Sequence, residues 1–216
     1  MEFFDSTKSI VENLSLLSGP FVALLATVGL VQLFIAWKTL IVNSKRDAAN
    51  LAAQQIKDYS ERIIPKMTKY DFSLMKEKIE RPKIEIGDFN LEYLNQKLGK
   101  EKVHKMRMER IKYVELWLNV LNSMEAFATY FTKGVADEGI AFSAIGRTYC
   151  FTVENYFFEI SDCRGLSDEH SFQNIIDLYK IWKERLKKIK LTKEQEALIL
   201  KLHQVNETKI DPIGTK

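Results

Sequence analysis

The sequence is poor in the residues that most catalytic and metal sites require. Among its 216 residues there are only two cysteines and three histidines. The spacing of Cys150 and Cys163 suits neither a zinc knuckle nor a redox pair, and both lie in apolar helical stretches. We therefore expect two small core residues in a reducing compartment.

The motifs of the common enzyme classes are also missing. The sequence has no His-Glu-x-x-His, no phosphate-binding glycine loop and no Gly-x-Ser-x-Gly elbow. Glu101 and His104 have the Glu-x-x-His spacing of di-iron bundles, but this pair occurs once, in a lysine-rich stretch. We therefore predict a solvated surface there, and no metal, no cofactor and no enzymatic activity.

Charge is missing from one long stretch near the N-terminus. No charged side chain occurs from Leu14 to Trp37, where Gln32 is the one strongly polar residue. As a helix this stretch would span about 36 Å, enough to cross the hydrocarbon core of a bilayer. A core helix would keep a polar face, and a signal peptide would begin with basic residues and end at a cleavage site of small residues. The stretch therefore predicts an uncleaved transmembrane helix.

Lysine and arginine are unevenly distributed around this predicted span. Lys8 precedes it, whereas Lys38, Lys45, Arg46 and Lys57 follow it within about twenty residues. This asymmetry predicts that the N-terminus lies outside and the rest of the chain in the cytoplasm. The membrane would be the inner (plasma) membrane. We expect Lys38, Lys45 and Arg46 to face lipid headgroups.

Helix-breaking residues are scarce immediately after the span. No proline lies between Phe21 and Ile64, and the apolar pattern continues at helical spacing, which predicts one helix from about residue 18 to residue 64, ended by Pro65. Its cytoplasmic half would be a stalk. Four small residues there would let another helix approach closely, either from the same domain or from a second copy: Ala48, Ala49, Ala52 and Ala53.

The remaining periodicity is helical, and no segment is typical of a sustained β-sheet. We expect an all-α fold in which the transmembrane helix continues into a cytoplasmic stalk, followed by an antiparallel helical bundle. The expected map is an N-terminus at 1–13, a transmembrane helix at 14–37, a stalk at 38–65, a connecting arm at 66–100, the bundle at 101–206 and a flexible tail at 207–216.

Capping signals predict where the helices begin and end. Asn90 would cap a short helix through Leu98, and Gly99 would close it; a long helix would follow from about Lys102 to Thr132. Asp137 would cap a helix that runs to Arg164 and is closed by Gly165. Ser167 would cap the next helix, whose core stripe extends from Phe172 to Ile189. A capping box formed by Thr192 and Gln195 would open a last helix.

Three charged residues stand out among the apolar faces of the bundle. Glu125 lies at the edge of the apolar arc of the long helix, and Arg147 and Glu154 lie on the less apolar side of the next helix. A Glu125–Arg147 ion pair would be a structural latch, and a buried functional pocket is the alternative.

Two basic runs remain, and each holds seven lysines or arginines: 97–112 and 180–193. Solvated faces are the default for such runs, and contact with anionic lipid is the alternative. Binding of nucleic acid is disfavoured, because no nucleic-acid-binding motif accompanies them.

Three stretches resemble one family: the span and its exit at Trp37–Pro65, the segment Leu118–Ala128, and the turn at Gly134 with the aromatic helix to Arg164. The layout resembles an uncharacterised bacterial family, a domain of unknown function, of single-span membrane-anchored helical proteins. The resemblance covers about half the chain, supports the architecture and implies no catalytic residues.

Together these features predict a non-enzymatic, membrane-anchored interaction or effector module. Its partners would be membrane lipid and either another protein or a second copy that binds through the stalk. One alternative is a single-span membrane-perturbing effector of a toxin or phage-defence system, although Gln32 alone offers little to line a channel. The other is an enzyme with a buried site around Glu125, Arg147 and Glu154.

Overall fold

The computed structural model describes residues 2–204, with side-chain surroundings for residues 21–202. The chain is 84% helical, with a long apolar N-terminal helix followed by a helical bundle, and no strand occurs in residues 2–204. The all-α prediction is therefore confirmed. The chain divides into two compact units, Met1–Ala49 and Asn50–Lys216. The expected tail at 207–216 lies outside the described residues.

Helix α1 (Glu2–Asp58) forms the first unit and enters the second. Its large apolar side chains from Phe21 to Val42 are exposed to the surroundings of the protein. A helix in a water-soluble core would have these side chains covered by neighbouring elements. By length and composition, this helix can cross a membrane.

A π-helical turn at Tyr59–Ile63 joins α1 to α2 (Ile64–Lys76), so the prediction that Pro65 ends the helix is wrong. The N–H of Ile64 donates to the carbonyl of Tyr59, five residues earlier. A proline inside a regular helix removes a donor and clashes with the carbonyl four residues before it. Pro65 instead occupies the first turn of α2, and the wide turn before it makes room for its ring.

The second unit continues from α2 through a connecting segment into six further described helices. They are α3 (Leu91–Leu98), α4 (Lys100–Ile111), α5 (Val114–Thr132), α6 (Glu138–Asn155), α7 (Phe157–Leu166) and α8 (Gln173–Gln204).

An aromatic cluster lies at the centre of the second unit. The buried rings of Tyr59, Phe127, Tyr149 and Trp182 follow one another with centroid separations of 5.1, 5.7 and 5.0 Å. They come from the π turn, α5, α6 and α8, so four elements meet at this point. Tilted and edge-on aromatic contacts at such distances add specific geometry to the area that the rings bury.

The segment predicted as a stalk contributes to this core. Ala52 is fully buried, Gln55 is nearly so, and the Tyr59 hydroxyl donates to Oγ1 of Thr152 at 3.1 Å. Ala53, by contrast, is exposed. The small residues could pack against helices of the same chain or against a second copy. Ala52 packs within its own chain.

The segment predicted as a connecting arm also supplies core residues, including Tyr70, Phe89 and Leu94. The predicted cap of α3 is confirmed, because the Asn90 side chain accepts the N–H of Tyr93 at 2.7 Å. Gly99 follows α3 with a φ of 85°, a left-handed conformation that favours glycine.

Two helices that were predicted to be continuous are each interrupted. The helix expected from Lys102 to Thr132 breaks at Lys112–Tyr113, and the helix expected to reach Arg164 breaks at Tyr156. The predicted cap Asp137 is confirmed, since its side chain accepts the N–H of Ile140 at 3.0 Å. The breaks contain no glycine or proline; they let α4 pair with α7 while α5 and α6 pack on α8.

The C-terminal helix differs from its prediction at both ends. Ser167 ends α7 rather than capping the next helix, which begins at Gln173 after Phe172 adopts a φ of 59°. Thr192 opens no new helix, because its hydroxyl donates to the Lys188 carbonyl within a continuous α8. The predicted core stripe is buried from Phe172 to Trp182, but Ile189 is exposed.

A buried tyrosine and a buried cysteine predict a loss of stability at alkaline pH. Burial raises the pKa of Tyr59 to about 12 from 10.0, and burial raises the pKa of the Cys150 thiol to about 12 from 9.0. Since the unfolded groups ionise first, the stability these groups contribute is complete below pH 9 and is lost as pH rises from 9 to 12. Each group contributes a slope of up to about 1.4 kcal/mol per pH unit.

We expect the free energy of unfolding, measured by urea titration at several pH values, to fall across this window. The Tyr59→Phe variant should show a shallower fall between pH 10 and pH 12. A free energy that is constant from pH 9 to pH 12 would contradict the assignment.

Candidate functional site

The three charged residues that were singled out in the sequence do not form one site. Glu125 caps the start of α8: Oε1 accepts the backbone N–H of Asn174 at 3.1 Å and Oε2 accepts that of Ile175 at 3.0 Å. Arg147 is exposed, and among the described residues it forms no ion pair with Glu125. The expected Glu125–Arg147 pair is therefore wrong, because the N-terminus of α8 takes the carboxylate instead.

Glu154 fastens α6 to α8. Its Oε1 accepts the hydroxyl of Tyr179 at 3.1 Å and also pairs with the ammonium group of Lys183. Glu125 and Glu154 thus act separately, each holding a different helix against α8. Both carboxylates thus connect their helices to α8, with partners other than the predicted Arg147.

The candidate lipid-facing residues Lys38, Lys45 and Arg46 are exposed on α1. They follow the apolar residues Phe21 to Val42 or lie near their end.

One buried and one half-buried ion pair between α4 and α7 form a polar cluster that was not among the predicted sites. Arg110 and Glu159 are each only 3% exposed, and Nε of Arg110 donates to Oε1 of Glu159 at 3.2 Å. One turn away, Arg107 donates to both carboxylate oxygens of Asp162, with its Nε 3.0 Å from each. Buried charges are tolerated only when they are paired and hydrogen-bonded.

Further hydrogen bonds hold Arg110 in place. Its two terminal nitrogens donate to the carbonyls of Met106 at 3.1 Å and Glu80 at 2.7 Å, and its guanidinium lies 4.8 Å from the ring centre of Phe158. The contact with Glu80 ties the segment between α2 and α3 to α4. Arg110 therefore joins three parts of the second unit.

Tyr70 completes the cluster from α2. Its hydroxyl donates to Oε1 of Glu159 at 2.7 Å. Burial raises the pKa of Tyr70 well above its usual value, and the neighbouring Glu159 carboxylate raises it further. The phenol is thus held as a hydrogen-bond donor. At the other pair, the hydrogen bond that Arg107 donates to the Asp162 carboxylate raises the pKa of Arg107.

A pattern in the sequence could have identified this cluster. Arg107 and Arg110 are three residues apart, and so are Glu159 and Asp162. Residues at this spacing lie on one face of a helix, so the two faces present complementary charges. Both arginines lie in the basic run at 97–112, for which a solvated face is the default prediction, because local composition does not reveal which lysines and arginines are buried.

An apolar crevice of about 160 Å³ lies beside the cluster. Its apolar lining comes mainly from α4, α5 and α7: Ile111, Val114, Trp117, Phe158, Cys163 and Leu166. All four charged residues of the two ion pairs also border it. Two buried polar atoms at this place have no hydrogen-bond partner, Nε1 of Trp117 and Oε2 of Glu159.

Within residues that the structure describes, no group of three or more His, Cys, Asp or Glu side chains is placed to hold a metal ion. The accessible surface of the crevice is almost wholly apolar, whereas Nε1 of Trp117 and Oε2 of Glu159 are themselves buried. Comparisons with protein-family models, with curated proteins and with solved structures find no significant match for this chain. The family resemblance drawn from the sequence therefore stays a prediction.

Proposed function

We propose that this protein is a non-enzymatic, single-pass membrane-anchored helical module that binds a partner through its folded second unit. The observation that carries the proposal is the exposed apolar surface of α1 in a chain that otherwise folds a compact helical unit. Exposed apolar patches of this extent mark membrane or protein contacts. The membrane is the inner (plasma) membrane in this proposal.

The length of the apolar surface supports insertion. The residues from Phe21 to Val42 would span about 33 Å as a helix, close to the thickness of the hydrocarbon core. Exposed Trp37 and Lys38 at the C-terminal part of this surface are residue types that favour the membrane interface.

The distribution of positive charge supports an orientation with the N-terminus outside and the second unit in the cytoplasm. Lys45 and Arg46 follow the apolar surface and Lys38 lies near its end, whereas Lys8 alone precedes it. In this orientation the three exposed basic residues contact the anionic headgroups of the cytoplasmic leaflet.

An exposed apolar pair on α2 supports a protein partner. Phe72 and Met75 are 68% and 75% exposed, and their three-residue spacing puts them on one face of the helix. Large exposed side chains of this kind are enriched at protein interfaces. The partner that covers this apolar pair is either a second copy of this chain or a different protein.

Membrane insertion can be tested with charge in the middle of the apolar surface. The double variant Leu30→Arg/Leu33→Arg should move from the membrane pellet to the soluble fraction, because each arginine at the centre of a span costs about 2.5–3.5 kcal/mol. Resistance of the unmodified protein to carbonate extraction is the measurement. The matched control, Leu30→Ile/Leu33→Ile, should stay in the pellet.

Extraction of the unmodified protein by carbonate would contradict anchoring. A reporter fused to the C-terminus should be active only if its reaction occurs in the cytoplasm; the reverse would overturn the orientation. Expression should leave the membrane potential unchanged, since depolarisation would favour the membrane-perturbing alternative over a binding module.

A further inference from the structure

The C-terminal half of α8 extends beyond the packed core of the second unit. Leu186 is the last described residue of this helix that packs against the core, and every residue from 187 to 202 is exposed. We call residues 187–202 the α8 extension; as a helix it is about 24 Å long. A helical segment of this length is only marginally stable in water when nothing packs on it, so a covering surface would stabilise the extension.

Three leucines of the α8 extension share one face. Leu191, Leu198 and Leu202 are separated by seven and four residues, which places them within about 40° of one another around the helix. All three are more than half exposed. Ile189 and Leu200 lie on the opposite face. The leucine face is therefore a narrow exposed apolar stripe on an otherwise polar helix.

The charge of the α8 extension is predominantly positive. It contains five lysines against two glutamates, so its formal net charge is +3. One of the glutamates, Glu194, pairs with Lys190 at 3.7 Å. A helix that combines a leucine face with surplus lysines suits an anionic lipid surface, because the leucines can enter the boundary between headgroups and acyl chains. A second copy of the extension fits less well, because two surfaces of net positive charge repel each other.

Within the second unit, α8 runs antiparallel to α6. The hydroxyl of Tyr179 donates to Glu154, near the C-terminal end of α6. Six residues further along α8, Arg185 donates to Glu138, the first residue of α6, at 2.8 Å. Residue numbers that rise along α8 therefore fall along α6.

The part of α1 in the second unit, together with α2, runs in the same direction as α6 and α7. Tyr59 donates to Thr152, and Tyr70 further along donates to Glu159. It follows that α8 runs opposite to α1 and α2. Since the chain enters the second unit at Asn50, the α8 extension leaves the unit at this same end.

We propose that the α8 extension is a second membrane contact, which binds the anionic cytoplasmic leaflet of the membrane that α1 is proposed to span. Leu191, Leu198 and Leu202 enter the lipid boundary, and the lysines contact headgroup phosphates. This inference rests on the proposed anchoring and orientation of α1, in which the end of the unit at Asn50 faces the membrane. The second unit would then be held to the bilayer by both α1 and α8.

A fluorophore on the leucine face measures this contact in the full chain. Gln195 lies on that face, about 40° from Leu191. In a Cys163→Ser background the other native cysteine, Cys150, is buried, so Gln195→Cys can be labelled selectively with NBD. The chain would be placed in nanodiscs of phosphatidylcholine, with or without phosphatidylglycerol. Emission should rise in the anionic discs and be quenched by doxyl-labelled lipid.

The expected size of this effect follows from the charge of the extension. Each lysine near an anionic surface favours the bound state about five-fold, so a net charge of +3 should raise the ratio of bound to free extension about a hundred-fold over neutral discs. Lys187→Gln/Lys188→Gln should lower this ratio about twenty-five-fold in the anionic discs and leave it nearly unchanged in the neutral discs.

Two neighbouring leucines provide a matched pair of variants. Leu198 and Leu200 are 61% and 64% exposed, and they lie on opposite faces of the extension. Leu198→Glu should abolish the rise in emission, because it places a charge in the face that enters the lipid. Leu200→Glu adds the same charge on the other face, so it should lower the bound ratio only about five-fold.

The design separates this inference from the proposed anchor. Elution of the chain with the discs measures anchoring by α1, whereas the NBD signal at position 195 measures the α8 extension. Chains that elute apart from the discs would contradict the anchor, and the α8 contact with it. An anchored chain with equal, unquenched emission in both kinds of disc would overturn the α8 contact alone.

Two further outcomes would also contradict the inference. Equal loss of signal in Leu198→Glu and Leu200→Glu would show that the leucine face is not the surface in contact. A rise in emission that needs two chains per disc and resists doxyl quenching would identify a second copy of the chain as the partner instead.

Discussion

Replacement of Arg110 by methionine is expected to lower the free energy of unfolding by about 3–5 kcal/mol. The substitution keeps the apolar stem but leaves the Glu159 carboxylate buried with Tyr70 as its remaining donor. It also removes the hydrogen bonds to the carbonyls of Met106 and Glu80. Urea unfolding of the full chain in nanodiscs, followed by the fluorescence of buried Trp182, measures the loss.

A double variant distinguishes charge from packing. In Arg110→Met/Glu159→Gln the buried charge is gone, and the glutamine carbonyl still accepts the Tyr70 hydroxyl, so most of the loss should be recovered. Arg147→Met is the matched control, because Arg147 is exposed and should change stability by less than about 0.5 kcal/mol. An equal effect of Arg110→Met and Arg147→Met would show that the buried pair contributes nothing.

Gly165→Ala, which adds one methyl group, is expected to cause the second-largest loss in the free energy of unfolding, after Arg110→Met. A Cβ built there would lie 2.3 Å from Cβ of Leu91, which is far inside van der Waals contact. Leu91 is the first residue of α3, so the two helices must separate. Gly165→Ala should therefore lower the free energy of unfolding by about 1–3 kcal/mol despite the better helix propensity of alanine.

Gly139→Ala provides the comparison within a helix of the same unit. A Cβ there would meet Oδ1 of Asp137 at 3.3 Å, a mild contact that a shift of a few tenths of an ångström relieves while the cap on Ile140 is kept. This variant should be neutral or more stable by up to about 1 kcal/mol. A gain in stability for Gly165→Ala as well would contradict the close approach of α3 and α7. The sequence prediction that Gly165 closes a helix missed this role, since α7 continues to Leu166.

Features that depend on a few neighbouring residues were predictable from the sequence. Asn90 and Asp137 each precede an apolar periodic stretch, and both cap the helix they were assigned to. The uncharged run after Leu14 likewise predicts a helix with apolar residues on every face, and the structure leaves those from Phe21 onward exposed. Such signals are local because capping and periodicity involve residues within about one turn.

The helix breaks were not predictable in this way. The interruptions at Tyr113 and Tyr156 have no glycine, proline or capping side chain, and both lie between helices that pack in different directions. Tertiary contacts override local propensity at these points. Pro65 shows the opposite case: a strong local stop signal is accommodated because the preceding π turn changes the hydrogen-bond pattern.

The candidate site was missed for a related reason. Arg107 and Arg110 occur among lysines, so their sequence neighbourhood is typical of a solvated face. Their burial follows from Glu159 and Asp162, which are about fifty residues away in the chain. Only a comparison of charge spacing between separate helices would have connected them. The crevice beside them has no sequence signal, because its shape depends on the angles among three helices.

The matched spacing of the two ion pairs favours one register of α4 against α7. If one helix slipped past the other by a turn, only one arginine could meet one carboxylate. The slipped arrangement would leave one cation and one anion unpaired, and an unpaired charge costs several kcal/mol where it is buried, as Arg110 and Glu159 are. The pairs thus penalise incorrect register more than they reward the correct one. The two ion pairs therefore disfavour misregistered packing of α4 and α7 during folding.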